Sequence, residues 1–128
     1  MPQLKLFLLP ILIGFWQLST KIDLQSTTSN NSKQEMFNYL RCHRQAKNIV
    51  VNWGMTSQLG VTSYKVYHSE DGEFFDPIAT IPADDASLKY SFKHETVFPG
   101  YHYYYIAAIR SGMPAVNSVT DVVRIVGH

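Results

Sequence analysis

The stretch that decides the fold lies at residues 97–110, which read Val-Phe-Pro-Gly-Tyr-His-Tyr-Tyr-Tyr-Ile-Ala-Ala-Ile-Arg. Pro99-Gly100 is a turn dipeptide, and the residues that follow it are rich in Tyr and Ile. Aromatic and β-branched side chains favour a pleated, half-buried backbone. Residues 101–110 are therefore predicted to form the strongest strand of the chain, and Ser111-Gly112-Met113-Pro114 is predicted to turn the chain back.

Shorter apolar runs that alternate with polar residues precede this strand, and turn residues separate them. Strands are also predicted at residues 74–81 and 119–126, and Leu40 is expected to face inward from a first strand. Counting from residue 35 gives about seven strands, at a spacing typical of an antiparallel sandwich. The predicted fold is all-β, a seven-stranded antiparallel immunoglobulin-like β-sandwich. The alternating positions are Ile49, Val51 and Trp53, then Tyr64 and Val66, then Leu88, Tyr90 and Phe92.

Composition limits the function classes. The 128 residues, 45% of them apolar and 13% aromatic, are enough for one domain with a packed core. The formal charge of +1 argues against a nucleic-acid binder that depends on a basic surface. A single cysteine, Cys42, excludes an intrachain disulfide scaffold and a cysteine-rich zinc site. Cys42 is expected to be a buried free thiol, and an intermolecular disulfide is the alternative.

The N-terminal segment resembles an export signal. Lys5 precedes the uncharged run from Leu6 to Trp16, which is shorter than the roughly 20 residues that a membrane-spanning helix needs. We expect residues 1–19 to be a signal peptide, 20–34 a flexible Ser/Thr/Asn-rich leader and 35–128 the folded domain. The mature protein would then be secreted, periplasmic or at the cell surface, without a stable membrane span. Asn30 opens a glycosylation sequon, which matters only in a eukaryotic source.

The order of motifs in the predicted domain resembles that of fibronectin type III domains, most of all exported bacterial members. Trp53 lies where the family places its core tryptophan, and residues 64–72 resemble its third strand and following turn. Residues 97–103 are similar to the approach to its sixth strand, and Ser118 fits the start of the last strand. The resemblance extends from residue 35 to the C-terminus. It departs from the family at His94, where an Asp is common, and around Leu40.

The resemblance implies structural roles for four side chains. Trp53, Tyr64 and Val66 would belong to the core, and Tyr103 would be the tyrosine of the corner before the sixth strand, with its hydroxyl bonded back to the backbone. It also implies that the third, sixth and seventh strands share one sheet.

Alternation along that sheet predicts an exposed apolar patch. If Tyr103 faces the core, then Tyr104 and Ile106 face outward, together with Tyr67 and Val122. We expect these four outward residues to bind a partner, because exposed apolar patches often mark interaction sites. Two alternatives stay open. The leader or a neighbouring subunit could cover the patch, or the register could differ by one residue, which would reverse every side chain.

Catalysis is not expected from the sequence. The histidines lack metal-ligand spacing, and neither a Gly-rich phosphate loop nor a Gly-x-Ser-x-Gly motif occurs. Asp84-Asp85 is interpreted as a solvated turn. The chain is therefore predicted not to be an enzyme and to need no metal or cofactor.

The favoured function is non-catalytic recognition of a protein partner outside the cytoplasm, for example in adhesion or cell-surface assembly. One alternative is a carbohydrate-binding module that stacks exposed tyrosines on sugar rings, and another is a structural spacer. The loops at 55–60, 84–87 and 111–117 are the second candidate surface. The shape of the tyrosine face separates the first two functions: a flat apolar face favours protein, and a groove with polar edges favours sugar.

Overall fold

A computed structural model of the protein describes residues 36–95 and 97–127. In this part of the chain, all elements are β-strands that pair antiparallel. It contains no helix of the length and apolarity needed to cross a membrane. The predicted signal peptide, the leader and Asn30 lie outside the described residues. The strands are β1 (Phe37–Gln45), β2 (Asn48–Met55), β3 (Val61–Ser69), β4 (Asp76–Pro82), β5 (Lys89–His94), β6 (Gly100–Arg110), β7 (Met113–Asn117) and β8 (Asp121–Ile125).

The strands form two sheets. One has the order β1-β2-β5, and the other has the order β4-β3-β6-β7, with β8 also paired to β6. The two sheets enclose one hydrophobic core, as the all-β prediction requires. Eight strands are observed within the described residues, rather than the seven predicted.

The strand that the prediction lacked is β7, which lies within residues 111–117, predicted to be a loop, and a break separates it from β8. Ser118 donates its backbone N–H to the Ile106 carbonyl at 2.8 Å, and its hydroxyl accepts the Ile106 N–H at 2.9 Å. The same hydroxyl donates to the Val119 carbonyl at 2.7 Å. A side chain thus replaces a ladder bond here, so the last segment of the chain pairs with β6 in two separate pieces. The turn predicted at residues 111–114 is shorter, because β7 already begins at Met113.

The core is built around Trp53. Its side chain is fully buried, stacks on Tyr90 with ring centroids 5.6 Å apart, and lies 5.8 Å from the ring of Tyr64. Tyr64 and Val66 are also fully buried, which places the inward face of β3 where the alternation predicted it. Burying a large aromatic side chain contributes several kcal/mol, so this cluster dominates the packing between the sheets.

Cys42 lies on β1 and is half-buried with a free thiol. Its backbone N–H donates to the Asp121 carboxylate at 2.8 Å, which ties β1 to β8. Burial, followed by the nearby Asp121 charge and its hydrogen bond, raises the pKa of the Cys42 thiol to about 12. The thiol is therefore protonated at neutral pH and chemically unreactive.

Candidate binding face of the larger sheet

The inward face of β6 is the reverse of the predicted one. Tyr104 and Ile106 are fully buried between the sheets, so the expectation that they form part of an exposed binding patch is wrong. Tyr103, expected in the core, is half-buried on the opposite, outer face. The alternative in which the register of β6 differs by one residue is therefore the correct one.

Cross-strand pairing explains this reversal. Directly opposed residues of antiparallel strands point to the same face, and Val66 of β3 is paired with Ile106 of β6. Since Val66 faces the core, Ile106 must face it as well. The run Tyr103–Ile109 is apolar on both faces, so its own alternation could not reveal which face is inward. The pairing with β3 carried that information.

The outer face of the β3–β6 pair carries a cluster of three aromatic side chains. Tyr67 and Tyr105 are cross-strand partners whose rings are stacked, with centroids 4.8 Å apart and an interplanar angle of 8°. Phe75, just before β4, meets the Tyr105 ring at 4.9 Å and 60°. All three side chains are partly exposed. Tyr67 is the predicted partner-binding residue that the structure places in this cluster, hereafter the aromatic face.

Tyr103 and Val122 extend this outer surface toward β8, where they are paired. Val122 is 48% exposed, as its predicted outward position requires. The Tyr103 ring lies over Gly72, where an added Cβ would be 3.3 Å from the ring. Gly72 also has a φ of 80°, so this turn position favours glycine on both grounds.

A recess opens beside Tyr105, at the break between β7 and β8. It has a volume of about 230 Å³. Its aromatic wall consists of Tyr105 and Phe75, and its rim carries only amide and hydroxyl side chains. The residues that line it are Phe75, Tyr105, Asn117, Ser118 and Thr120.

The recess is lined by uncharged groups at neutral pH. Burial, followed by the neighbouring Tyr67 side chain, raises the pKa of Tyr105 above its ordinary value. The phenol therefore keeps its proton and can both donate and accept a hydrogen bond. Within residues 36–95 and 97–127, no group of three or more His, Cys, Asp or Glu side chains is arranged to hold a metal ion.

Sequence reasoning missed Phe75 and Thr120 as members of this surface, whereas Asn117 ends the loop predicted at 111–117, which was part of the second candidate surface. A signal for Phe75 existed in the preceding turn. Asp71 accepts the backbone N–H groups of Glu73 and Phe74 at 2.8 and 2.9 Å, which is the turn chemistry expected of an Asp before a Gly. Nothing in the local pattern marks the recess itself, because it forms only where two separated segments both pair with β6.

The chain matches no family model, and no curated protein matches it. Among solved structures, it is similar to pectate lyase Pel3 from Pectobacterium carotovorum, with a TM-score of 0.55, 17% identity, and coverage of 69% of this chain and 26% of that one. It is also similar to a β-1,2-glucanase from Parabacteroides distasonis, with a TM-score of 0.54, 16% identity, and coverage of 72% and 14%. The match thus spans a minor part of each enzyme.

These neighbours correct the prediction that the chain is not an enzyme, because the structures that resemble it are enzymes. At identities of 16 and 17%, the likeness establishes the fold and assigns no reaction to this chain.

Proposed function

We propose that this chain is a carbohydrate-recognition module that binds a neutral sugar chain at the aromatic face and the adjoining recess. The recess carries the proposal, since it joins an aromatic wall to an uncharged rim of amide and hydroxyl groups. Sugar sites combine an apolar surface for the ring with polar groups that fix its hydroxyls. A recess of about 230 Å³ is smaller than the roughly 300–1,000 Å³ of drug-sized sites, so it suits one ring of a longer ligand.

The shape of the face supports sugar over a flat protein partner. Tyr67 and Tyr105 cover each other's rings, which reduces the apolar area that a protein could bury. A standard protein interface removes about 800 Å² from each partner and depends on exposed aromatic anchors. Tyr104 and Ile106 cannot supply such anchors because they lie in the core. Both solved neighbours are named for reactions on polysaccharides, which suggests glucan and pectate as the first ligands to test.

We further propose that the sandwich is of the fibronectin type III kind and that it acts outside the cytoplasm. Three observations support the fibronectin type III assignment: the strand orders β1-β2-β5 and β4-β3-β6-β7, the buried Trp53, and the two hydrogen bonds between Ser118 and Ile106. The uncharged run from Leu6 to Trp16, which follows Lys5, supports a location outside the cytoplasm. Mass spectrometry of exported protein should find residues before about position 20 removed, and an intact Met1 in mature material would contradict export.

The binding test compares Tyr105→Ala with Tyr101→Ala in calorimetric titrations against β-1,2-glucan and pectate oligosaccharides. Tyr101 lies on the same strand about 13 Å away, at 3.3 Å per residue, and outside the recess. Loss of an aromatic anchor costs about 2 kcal/mol, or roughly 30-fold in affinity, so Tyr105→Ala should weaken binding and Tyr101→Ala should not. The neutral glucan should bind more tightly than the anionic pectate.

Two outcomes would contradict sugar recognition at this site. One is binding that Tyr105→Ala leaves unchanged in a folded protein. The other is the absence of binding to either oligosaccharide, combined with capture of a protein partner that Tyr105→Ala abolishes. The second outcome would mean that the aromatic face binds a protein partner instead of a sugar.

A further inference from the structure

Three histidines meet at one end of the core, on the inner face of the larger sheet, whereas the recess opens on its outer face. His94 ends β5 in the smaller sheet, whereas His68 of β3 and His102 of β6 belong to the larger sheet. The ring centroid of His68 lies 4.8 Å from that of His94 and 5.1 Å from that of His102. This group, hereafter the histidine cluster, therefore joins the two sheets through imidazole side chains.

Hydrogen bonds fix where the protons of the cluster are. His102 Nε2 lies 2.7 Å from the Phe98 carbonyl oxygen, which can only accept, so Nε2 carries a proton. His102 Nδ1 lies 2.8 Å from His68 Nε2. In neutral His102 this Nδ1 accepts, so His68 Nε2 donates to it. The Phe98 carbonyl is part of the connection between β5 and β6, so the cluster anchors that connection to β3.

The same geometry limits how many protons the folded protein can take up. One added proton leaves a donor and an acceptor between His68 and His102. If both rings become imidazolium ions, two N–H groups face each other across 2.8 Å and the hydrogen bond is lost. His102 is almost fully buried, so solvent cannot replace this partner.

We propose that the histidine cluster is an acid-sensitive clasp: at neutral pH it holds the β5–β6 connection against β3, and proton uptake by the cluster releases that connection. The release would free residues 97–99, including the exposed Phe98. The hydrogen bond from the Val97 N–H to the Lys47 carbonyl, 2.9 Å long, would then lose its support.

Several ionisable groups surround the cluster and set its response. Burial, then His94 and His102, lowers the pKa of His68 to about 4, while Glu70 and Asp76 oppose this shift. Burial, then His102, lowers the pKa of His94. His94 Nδ1 is also hydrogen-bonded to the Tyr104 hydroxyl at 2.8 Å. Beyond Tyr104 lies the protonated Cys42 thiol, which is paired with Asp121.

The sign of the pH effect follows from these directions. Unfolded histidines take up protons around pH 6.5, whereas His68 in the folded protein does so only near pH 4. The unfolded chain thus binds more protons as the pH falls below about 6.5, and stability falls with it until the folded pKa is passed. Above pH 5.5, Asp and Glu carboxylates remain largely ionised in both states, so histidines dominate the loss in that window.

The first experiment follows the Tm of the full chain from pH 7.5 to 5.5 in the wild type, in His68→Phe and in the control His43→Gln. Phenylalanine keeps a ring at position 68 but cannot titrate, and His43 is exposed on β1 outside the cluster. The wild-type Tm should fall below about pH 6.5. The loss should be clearly smaller in His68→Phe, because one of the two histidines with a lowered pKa is removed and only the contribution of His94 remains. His43→Gln should behave as the wild type.

A constant wild-type Tm across this range, or an undiminished loss in a folded His68→Phe protein, overturns the proposal. If His68→Phe does not fold, ¹⁵N NMR of the wild-type histidine rings decides. At pH 6, neutral His68 protonated at Nε2 supports the proposal, and an imidazolium signal overturns it. Amide protection factors test the release itself: Val97 should lose protection at pH 5.5 before Trp53, and equal losses would mean global unfolding instead.

Discussion

The core has two aromatic ends that are built alike and differ in chemistry. At one end, the hydroxyls of Tyr64 and Tyr90 both donate to Gln58 Oε1, at 2.9 and 2.6 Å, beneath the stacked Trp53. At the other end, three imidazole rings lie together with a single phenol, that of Tyr104. Each end satisfies buried polar groups with a side-chain network that joins the two sheets. The difference teaches that equal packing does not imply an equal pH response.

The tyrosine end keeps its protonation state over the whole neutral range. Burial, followed by Tyr90, raises the pKa of Tyr64 above its ordinary value, and the amide of Gln58 does not titrate. At the histidine end the pKa values of His68 and His94 are lowered, so burial favours the neutral form of both rings. If tyrosine and amide side chains joined the sheets at both ends, the stability of the fold would not change in mild acid.

Replacing Trp53 should have the largest effect on this comparison. Trp53→Ala removes the fully buried ring that Tyr64 and Tyr90 both contact and should cost about 3–5 kcal/mol, much of the stability of such a domain. Chemical denaturation measures this loss. Trp53→Phe should cost far less, because the buried Trp53 Nε1 has no hydrogen-bond partner among the described residues. A Trp53→Ala protein as stable as the wild type would contradict the core assignment.

Gln58→Ala should disrupt the tyrosine end without touching the packing of Trp53. The Gln58 amide also donates to the Asp84 and Ser87 carbonyls, each at 2.8 Å, and so secures the β4–β5 loop. Leaving the hydroxyl of the buried Tyr64 without its acceptor costs about 1–3 kcal/mol. The loss should be the same at pH 7.5 and 5.5 in denaturation curves, unlike any loss at the histidine end. Gln45→Ala, on the exposed end of β1, is the control and should be neutral.

A matched pair of tyrosine variants sharpens the comparison. Tyr104→Phe removes the hydroxyl that is bonded to His94 Nδ1, whereas Tyr64→Phe leaves Gln58 Oε1 with the Tyr90 hydroxyl. Tyr104→Phe should therefore cost about 1 kcal/mol, and Tyr64→Phe less. Thermal melts at pH 7.5 and 5.5 should show a pH-dependent difference from the wild type for Tyr104→Phe alone. Equal, pH-independent losses would mean that the two ends do not differ as described.

The sequence predicted the parts of this molecule that depend on local pattern. The strands other than β7, the inward positions of Tyr64 and Val66 and the turn at Asp71-Gly72 follow from alternation and turn chemistry. The inward face of β6 did not, because Tyr103 to Ile109 is apolar on both faces. Strand β7 was not predicted, and its separation from β8 depends on the hydroxyl of Ser118, which accepts the Ile106 N–H of the distant strand β6. The recess and the histidine cluster depend on register between strands, which no single segment encodes.

Cys42 offers the smallest effect, seen in reactivity rather than stability. Its thiol has a pKa of about 12, so at pH 8 only about one molecule in 10⁴ carries the reactive thiolate. Labelling by a disulfide reagent should be slow in native protein and fast in urea. Asp121→Asn removes the charge that helps to keep the thiol protonated, so it should speed native labelling at an almost unchanged Tm, while Asp84→Asn, in a distant loop, should not. Rapid labelling of native wild-type protein, or a dimer that reduction dissolves, would instead favour an accessible thiol and the intermolecular disulfide.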